Sequence, residues 1–206
     1  MTILPVFIKN ILRPILSPIL GALSKRIEVA DPWEKHERKV PKDTFGSGNI
    51  NDWQWYFDGK SSIEVSSVEQ ICHWLCECEY ALDKDLFQED DFWQHPVTLE
   101  ATKTGDCEDQ ALWAWRKLTE LGIYSELING RMLTPNTPEE STHVWVLFHR
   151  DGEPFILEAT ARTIETMLMP LEEAKHKYCP SVSVSGSFQT YVYDGYIENI
   201  KATSSQ

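Results

Sequence analysis

Gly105-Asp106-Cys107-Glu108-Asp109-Gln110-Ala111-Leu112-Trp113-Ala114-Trp115-Arg116-Lys117-Leu118 is the stretch on which the fold turns. Ala111, Trp115 and Leu118 recur four and three residues apart, flanked by Ala114 and Leu121, which is the spacing of one helical face. Gly122 stands where a helix C-cap belongs. The acids at 106, 108 and 109 suit the positive end of the helix dipole. Cys107 therefore heads a helix. Unpaired N–H groups there stabilise a thiolate and lower its pKa, into the range ~4–7 in favourable cases. The same groups can hold the oxygen of a tetrahedral intermediate. Three adjacent carboxylates act against the thiolate by like-charge repulsion.

Upstream, Ser67 with Gln70 three residues later resembles a capping box, opening a helix with Ile71, Trp74, Leu75, Cys78, Ala81 and Leu82 on one face. Residues 83–96 read as a loop. Downstream the period changes to strands at 123–131, 142–149, 153–160, 181–186 and 188–194, with a helix at 162–178 between them. Helices first and antiparallel strands afterwards make an α+β domain.

Two of these strands form a hairpin around Arg150-Asp151-Gly152. Whether the two-residue loop is 151–152 or 150–151, paired positions sum to an odd number, so Glu158 falls opposite Trp145 or His143. His143 and Glu158 then share one face of the sheet, within hydrogen-bond reach. A glutamate inside an apolar run needs such a partner.

The chain has 206 residues, 42% of them apolar, and eight tryptophans, enough for a real core. Its net charge of −13 repels phosphate backbones and argues against nucleic acid as a partner. Five cysteines, at 72, 76, 78, 107 and 179, form an odd set without the spacing of a disulfide framework. Cys72, His73, Cys76 and Cys78 lack a second pair at zinc-ligand spacing. Residues 1–30 read as an apolar arm that docks on another protein or subunit. Its uncharged run, 14–24, is too short to span a bilayer, and no signal-peptide cleavage pattern follows. Residues 31–62 read as a linker with an aromatic cluster (Trp53, Trp55, Tyr56, Phe57), 63–200 as the main domain, and 201–206 as a polar tail. The expected location is the cytoplasm or a macromolecular assembly.

Gly105-Asp106-Cys107-Glu108-Asp109, with Phe92-Trp93-Gln94-x-Pro96 ahead of it, resembles the nucleophile segment of the bacterial transglutaminase-like cysteine proteinases, of the transglutaminase and papain superfamily. His143-Val144-Trp145 and Glu158-Ala159-Thr160 are similar to that family's histidine and acid segments, in the same order. The likeness runs over roughly residues 65–160. It implies a papain/transglutaminase-like core and a thiol-dependent hydrolase or amide-transfer enzyme acting on protein or peptide substrates. Cys107 would be the nucleophile, His143 the base and Glu158 the orienting acid. Oxyanion donors would be the Cys107 backbone N–H with Trp93 or Gln94. The family usually has Asp where this chain has Glu158. Some relatives bind calcium with acids beside the nucleophile, which match Asp106, Glu108 and Asp109; the chemistry itself requires no cofactor. The alternative is a weak or inactive domain of this fold serving as a structural component, such as a phage virion protein. A plain binding domain is a third.

Overall fold

The computed structural model describes residues 31–133 and 141–195. The segments read as an arm (1–30) and a tail (201–206), together with residues 134–140 and 196–200, lie outside the described residues. In chain order the strands are β1 (Lys35–Glu37), β2 (Glu79–Tyr80), β3 (Thr104–Gly105), β4 (Ser125–Met132), β5 (Ser141–Arg150), β6 (Glu153–Leu157), β7 (Leu168–Pro170), β8 (Tyr178–Ser185) and β9 (Thr190–Tyr193). The helices are α1 (Val68–Cys76), α2 (Asp83–Leu86), α3 (Pro96–Thr102), α4 (Cys107–Glu120), α5 (Ile164–Met167) and α6 (Leu171–Ala174).

Seven strands form one antiparallel sheet in the order β1-β9-β8-β4-β5-β6-β7, and β2 and β3 form a small parallel pair. Alternation along β5 divides its residues between two cores. Val144, Val146 and Phe148 face α4, joining Trp113, Trp115 and Leu118. Trp145 and Leu147 face the other way, joining Ile128, Ile156, Tyr178 and Tyr193.

All residues from Glu108 to Leu118 of α4 are buried. One side of the helix lies on the sheet, and the segment read as a linker covers much of the other. Tyr56 is wholly buried, and Phe45 and Trp53 meet edge to face at 4.7 Å. Arg116, on the covered side, donates to the carbonyls of Tyr56 (3.1 Å), Asp58 (3.0 Å) and Gly59 (2.7 Å). Lys117 donates to Ile63 O at 2.7 Å and to Ser61. It lies 3.4 Å from the buried Glu100 carboxylate, which also accepts from Trp113 Nε1 at 3.0 Å. Residues 32–62 belong to the same compact unit as the rest of the domain, with β1 completing its sheet. Aromatic burial and two buried cations outweigh the Gly-rich, charged composition that suggested a linker.

Ser67 caps α1 as expected, its hydroxyl accepting from Gln70 N–H. The helix stops at Cys76, before Ala81 and Leu82. The helix expected over 162–178 does not form as one piece. Pro170 cannot donate within a helix, and Leu168–Pro170 instead pairs with β6, leaving the one-turn helices α5 and α6 on either side. Among the described residues no helix is long and apolar enough to cross a membrane.

Candidate active site

Cys107 opens α4 just after the capping position Asp106, ahead of the first intrahelical bond, from Gln110 N–H to Asp106 O at 3.3 Å. The residue is half-buried and lines a cavity of about 400 Å³ with Tyr80, Leu82, Trp93, Asp106, Glu108 and Val144, among others. On the strand side, the backbone N–H of Val144 faces the sulfur and favours its anion. β6 ends at the Val146–Leu157 pair, so no strand covers Val144 on that side and the sulfur has access to its N–H.

The hairpin has the parity anticipated. Arg150 pairs with Glu153 and Val146 with Leu157, so paired positions sum to 303. The loop residues Asp151 and Gly152 both have positive φ (54° and 86°), the conformation of a tight primed turn. His143 and Glu158 thus meet on one face, Nε2 lying 2.7 Å from Oε2, and both residues are buried. A carboxylate only accepts, so Nε2 carries the hydrogen, and in the neutral ring Nδ1 is the nitrogen with the lone pair. The other carboxylate oxygen accepts from Thr160 Oγ1 (2.6 Å) and Thr160 N–H (3.2 Å). Burial alone would raise the Glu158 carboxyl, but the His143 and Thr160 donors outweigh it and hold the group below its usual range. It is an anion at neutral pH, able to orient and stabilise an imidazolium.

The described thiol contact goes to a carboxylate. Cys107 Sγ lies 3.1 Å from Glu108 Oε2, and among the described residues no hydrogen bond joins the sulfur to the His143 ring. Burial, then the charge and hydrogen bond of Glu108, push the thiol well above its ordinary value. The two side-chain oxyanion candidates are engaged elsewhere. Trp93 Nε1 donates to Asp91 Oδ1 at 3.2 Å, while the Gln94 amide donates to Thr104 O at 3.0 Å and to Asp109. Gln94 N–H also donates to Asp109 Oδ1, at 2.7 Å. This pair fastens the segment before α3 to the first turn of α4. The Cys107 N–H remains the oxyanion candidate at the helix head.

Asp106, Glu108 and Asp109 lie with two further acids that the motif did not reveal. Oxygens of Asp83, Asp106 and Asp109 lie within 4.8 Å of one another, as do those of Asp83, Asp91 and Glu108. Burial and mutual repulsion raise the carboxyls of Asp106 and Glu108, and burial with nearby acids takes Asp109 up to about 8. Asp83 Oδ1 and Asp106 Oδ1 are buried without a hydrogen-bond partner. An all-oxygen cluster with orphaned lone pairs has the donor chemistry of a hard divalent cation. Asp83 and Asp91 lie in the segment read as a loop, and only tertiary structure singles them out from the other acids there.

The fold and the site together define an α+β domain with a cysteine at a helix head and a buried histidine–glutamate couple on the adjoining antiparallel sheet. A scan against protein-family models and a search of curated proteins found no match. Among solved structures, calcium-bound LapG from Legionella pneumophila is similar over 64% of this chain and 71% of its own, at 23% identity and a TM-score of 0.45. The EGTA-treated form of LapG gives 64%, 69%, 23% and 0.44. A candidate cysteine protease from Cytophaga hutchinsonii matches over 69% of this chain and 57% of its own, at 14% identity and a TM-score of 0.37.

Proposed function

We propose that this chain is a cysteine-nucleophile enzyme that cleaves or transfers amide bonds of protein substrates, with Cys107, His143 and Glu158 as its working groups. The observation carrying this reading is the buried 2.7 Å His143–Glu158 bond, set on the residue next to Val144, whose N–H faces the Cys107 sulfur. In the reactive arrangement the thiol turns from Glu108 toward the imidazole. His143 Nδ1 takes its proton, and the sulfur adds to the substrate carbonyl carbon. The oxyanion forms beside the Cys107 N–H. The imidazolium returns the proton to the departing amine as the C–N bond breaks, leaving a thioester. Water, deprotonated by the same imidazole, then releases a carboxylic acid. A primary amine in its place makes a new amide. Glu158 stays ionised throughout and holds the ring's orientation.

A test uses unfolded proteins as substrates, scoring new N-termini for hydrolysis and a labelled primary amine for transfer. One of the two should occur with the wild type. His143→Ala should reduce it by roughly 10²–10⁴-fold, the usual contribution of a general base. Absence of both products with the wild type, with and without calcium, would leave the inactive-scaffold alternative in force.

Calcium belongs to the same proposal. Asp83, Asp91, Asp106, Glu108 and Asp109 would hold it, and its charge would neutralise the repulsion that the cluster exerts on the thiolate. The melting temperature should rise in about 1 mM calcium. Saturation at ~100-fold over Kd corresponds to ~2.7 kcal/mol, or about 5–10 °C for a domain of this size. Asp106→Asn should abolish the rise, and magnesium, which demands tighter octahedral geometry, should give a smaller one. An equal melting temperature with calcium and with chelator would dispose of the cation site.

A further inference from the structure

The acid of the site has a fourth donor. Tyr178, on β8, lies two strands away from β5 in the sheet order, yet its hydroxyl donates to Glu158 Oε2 at 3.0 Å, the same oxygen that accepts from His143. Both residues are buried, Tyr178 at 4% exposure and Glu158 at 6%. The contact crosses the face of β4, where Gly130 pairs with His143 on one side and with Pro180 on the other. A Cβ at Gly130 would stand 2.6 Å from a ring carbon of Trp145. The missing side chain therefore gives the Trp145 ring its place, 6.1 Å from the His143 ring and 5.1 Å from that of Tyr178. One indole thus packs against both partners of the acid.

We infer that Tyr178 is a positioning residue matched to Glu158, fixing the carboxylate that orients His143. The match also accounts for a glutamate at 158. Oε2 must meet His143 Nε2 and the Tyr178 hydroxyl together while Oε1 meets Thr160. An aspartate is shorter by one methylene, about 1.5 Å. Held by the same backbone, it could not keep the His143, Tyr178 and Thr160 contacts all at these lengths. The inference rests on the functional reading above for its meaning in catalysis, but not for its test.

Glu158, after β6, is hydrogen-bonded to the His143 ring, and Tyr178, on β8, shares the same carboxylate oxygen; Cys107, at the head of α4, is the further titratable group that the functional reading brings to the ring. The hydroxyl shares Oε2 with the imidazole and draws off part of its charge. Without the hydroxyl, the carboxylate depends more on the imidazolium, so the imidazolium is favoured. The experiment is an NMR titration of His143 in the whole chain. Tyr178→Phe should raise the His143 pKa by about half a unit or more, as expected for loss of one charge-assisted partner. In a Glu158→Gln background the same change should move it by under ~0.2 units, because Tyr178 then has no charge to share. Thr160→Val, which strips a donor from the other oxygen, serves as a second variant should Tyr178→Phe fail to fold. It should raise the His143 pKa in the same direction and lose that effect in Glu158→Gln. Identical His143 curves in wild type and Tyr178→Phe overturn the inference, as does an equal shift in both backgrounds. An unreactive Cys107 accompanied by the expected shifts would end the functional reading and leave the Tyr178–Glu158 match standing.

Discussion

Cys107→Ala should lose roughly 10⁴-fold or more of any amide-cleaving or amide-transfer activity, while its melting temperature stays within about 2 °C of wild type. The proposed mechanism assigns thioester formation to this sulfur alone, so its removal leaves the chemistry no second route. Cys107 is half-buried and belongs to neither hydrophobic core. Cys107→Ser should fall nearly as far, since a hydroxyl beside so many carboxylates is much harder to ionise than a thiol. Activity measurement together with thermal melting checks both halves of the prediction. Retained activity in the alanine variant would remove Cys107 from the mechanism.

Glu100→Ala should produce the largest loss of stability. Glu100 is the carboxylate beside Lys117, 3.4 Å away, and both side chains are only 2% exposed. It also accepts from Ser61, Ser62 and Trp113. Truncation takes from the Lys117 ammonium its buried carboxylate, leaving it the more exposed Glu120 at 3.2 Å, and at the same time removes the partner of an indole N–H and of Ser61 and Ser62. Removing one member of a buried ion pair typically costs about 3–5 kcal/mol, here about 6–20 °C in melting temperature. The same group gives a pH signature. Burial by itself would raise its pKa, but the Ser61, Trp113, Ser62 and Lys117 contacts reverse this and hold it at about 2. Because the folded value lies below the unfolded one, its contribution is complete above about pH 4.5 and is lost as pH falls toward 2. Denaturant melts at pH 7 and in that acid window should therefore differ less in Glu100→Ala than in wild type. A variant as stable as wild type at pH 7 would refute this account of the strap.

Much of the architecture is written in local pattern. Ser67 and Gln70 mark a helix start, and the 111-115-118 spacing with Gly122 marks α4. Asp151-Gly152 sets a turn whose parity brings His143 and Glu158 to the same face. These features depend on residues a few positions apart, where sequence determines geometry directly. The failures share the opposite character. The strap at 55–63 owes its order to Arg116 and Lys117, more than fifty positions away. Leu168–Pro170 became a strand because β6 offered a free edge. Asp83 and Asp91 joined the acid cluster through folding of the 83–96 segment, and Tyr178 reached Glu158 across β4 from a position assigned to the end of a helix. Trp93 and Gln94 were close in sequence to the nucleophile, but their donors are used to fasten Asp91, Thr104 and Asp109.

The rate at which iodoacetamide alkylates Cys107, followed site by site by mass spectrometry near pH 6.5, tests the pairing of sulfur and imidazole most directly. In about 1 mM calcium, with the acid cluster neutralised, Cys107 should react at least ~10-fold faster than in the unfolded chain. His143→Ala should bring it down to that level or below. Alkylation no faster than in the unfolded chain, or a rate indifferent to His143→Ala, would contradict the thiol–histidine–glutamate account.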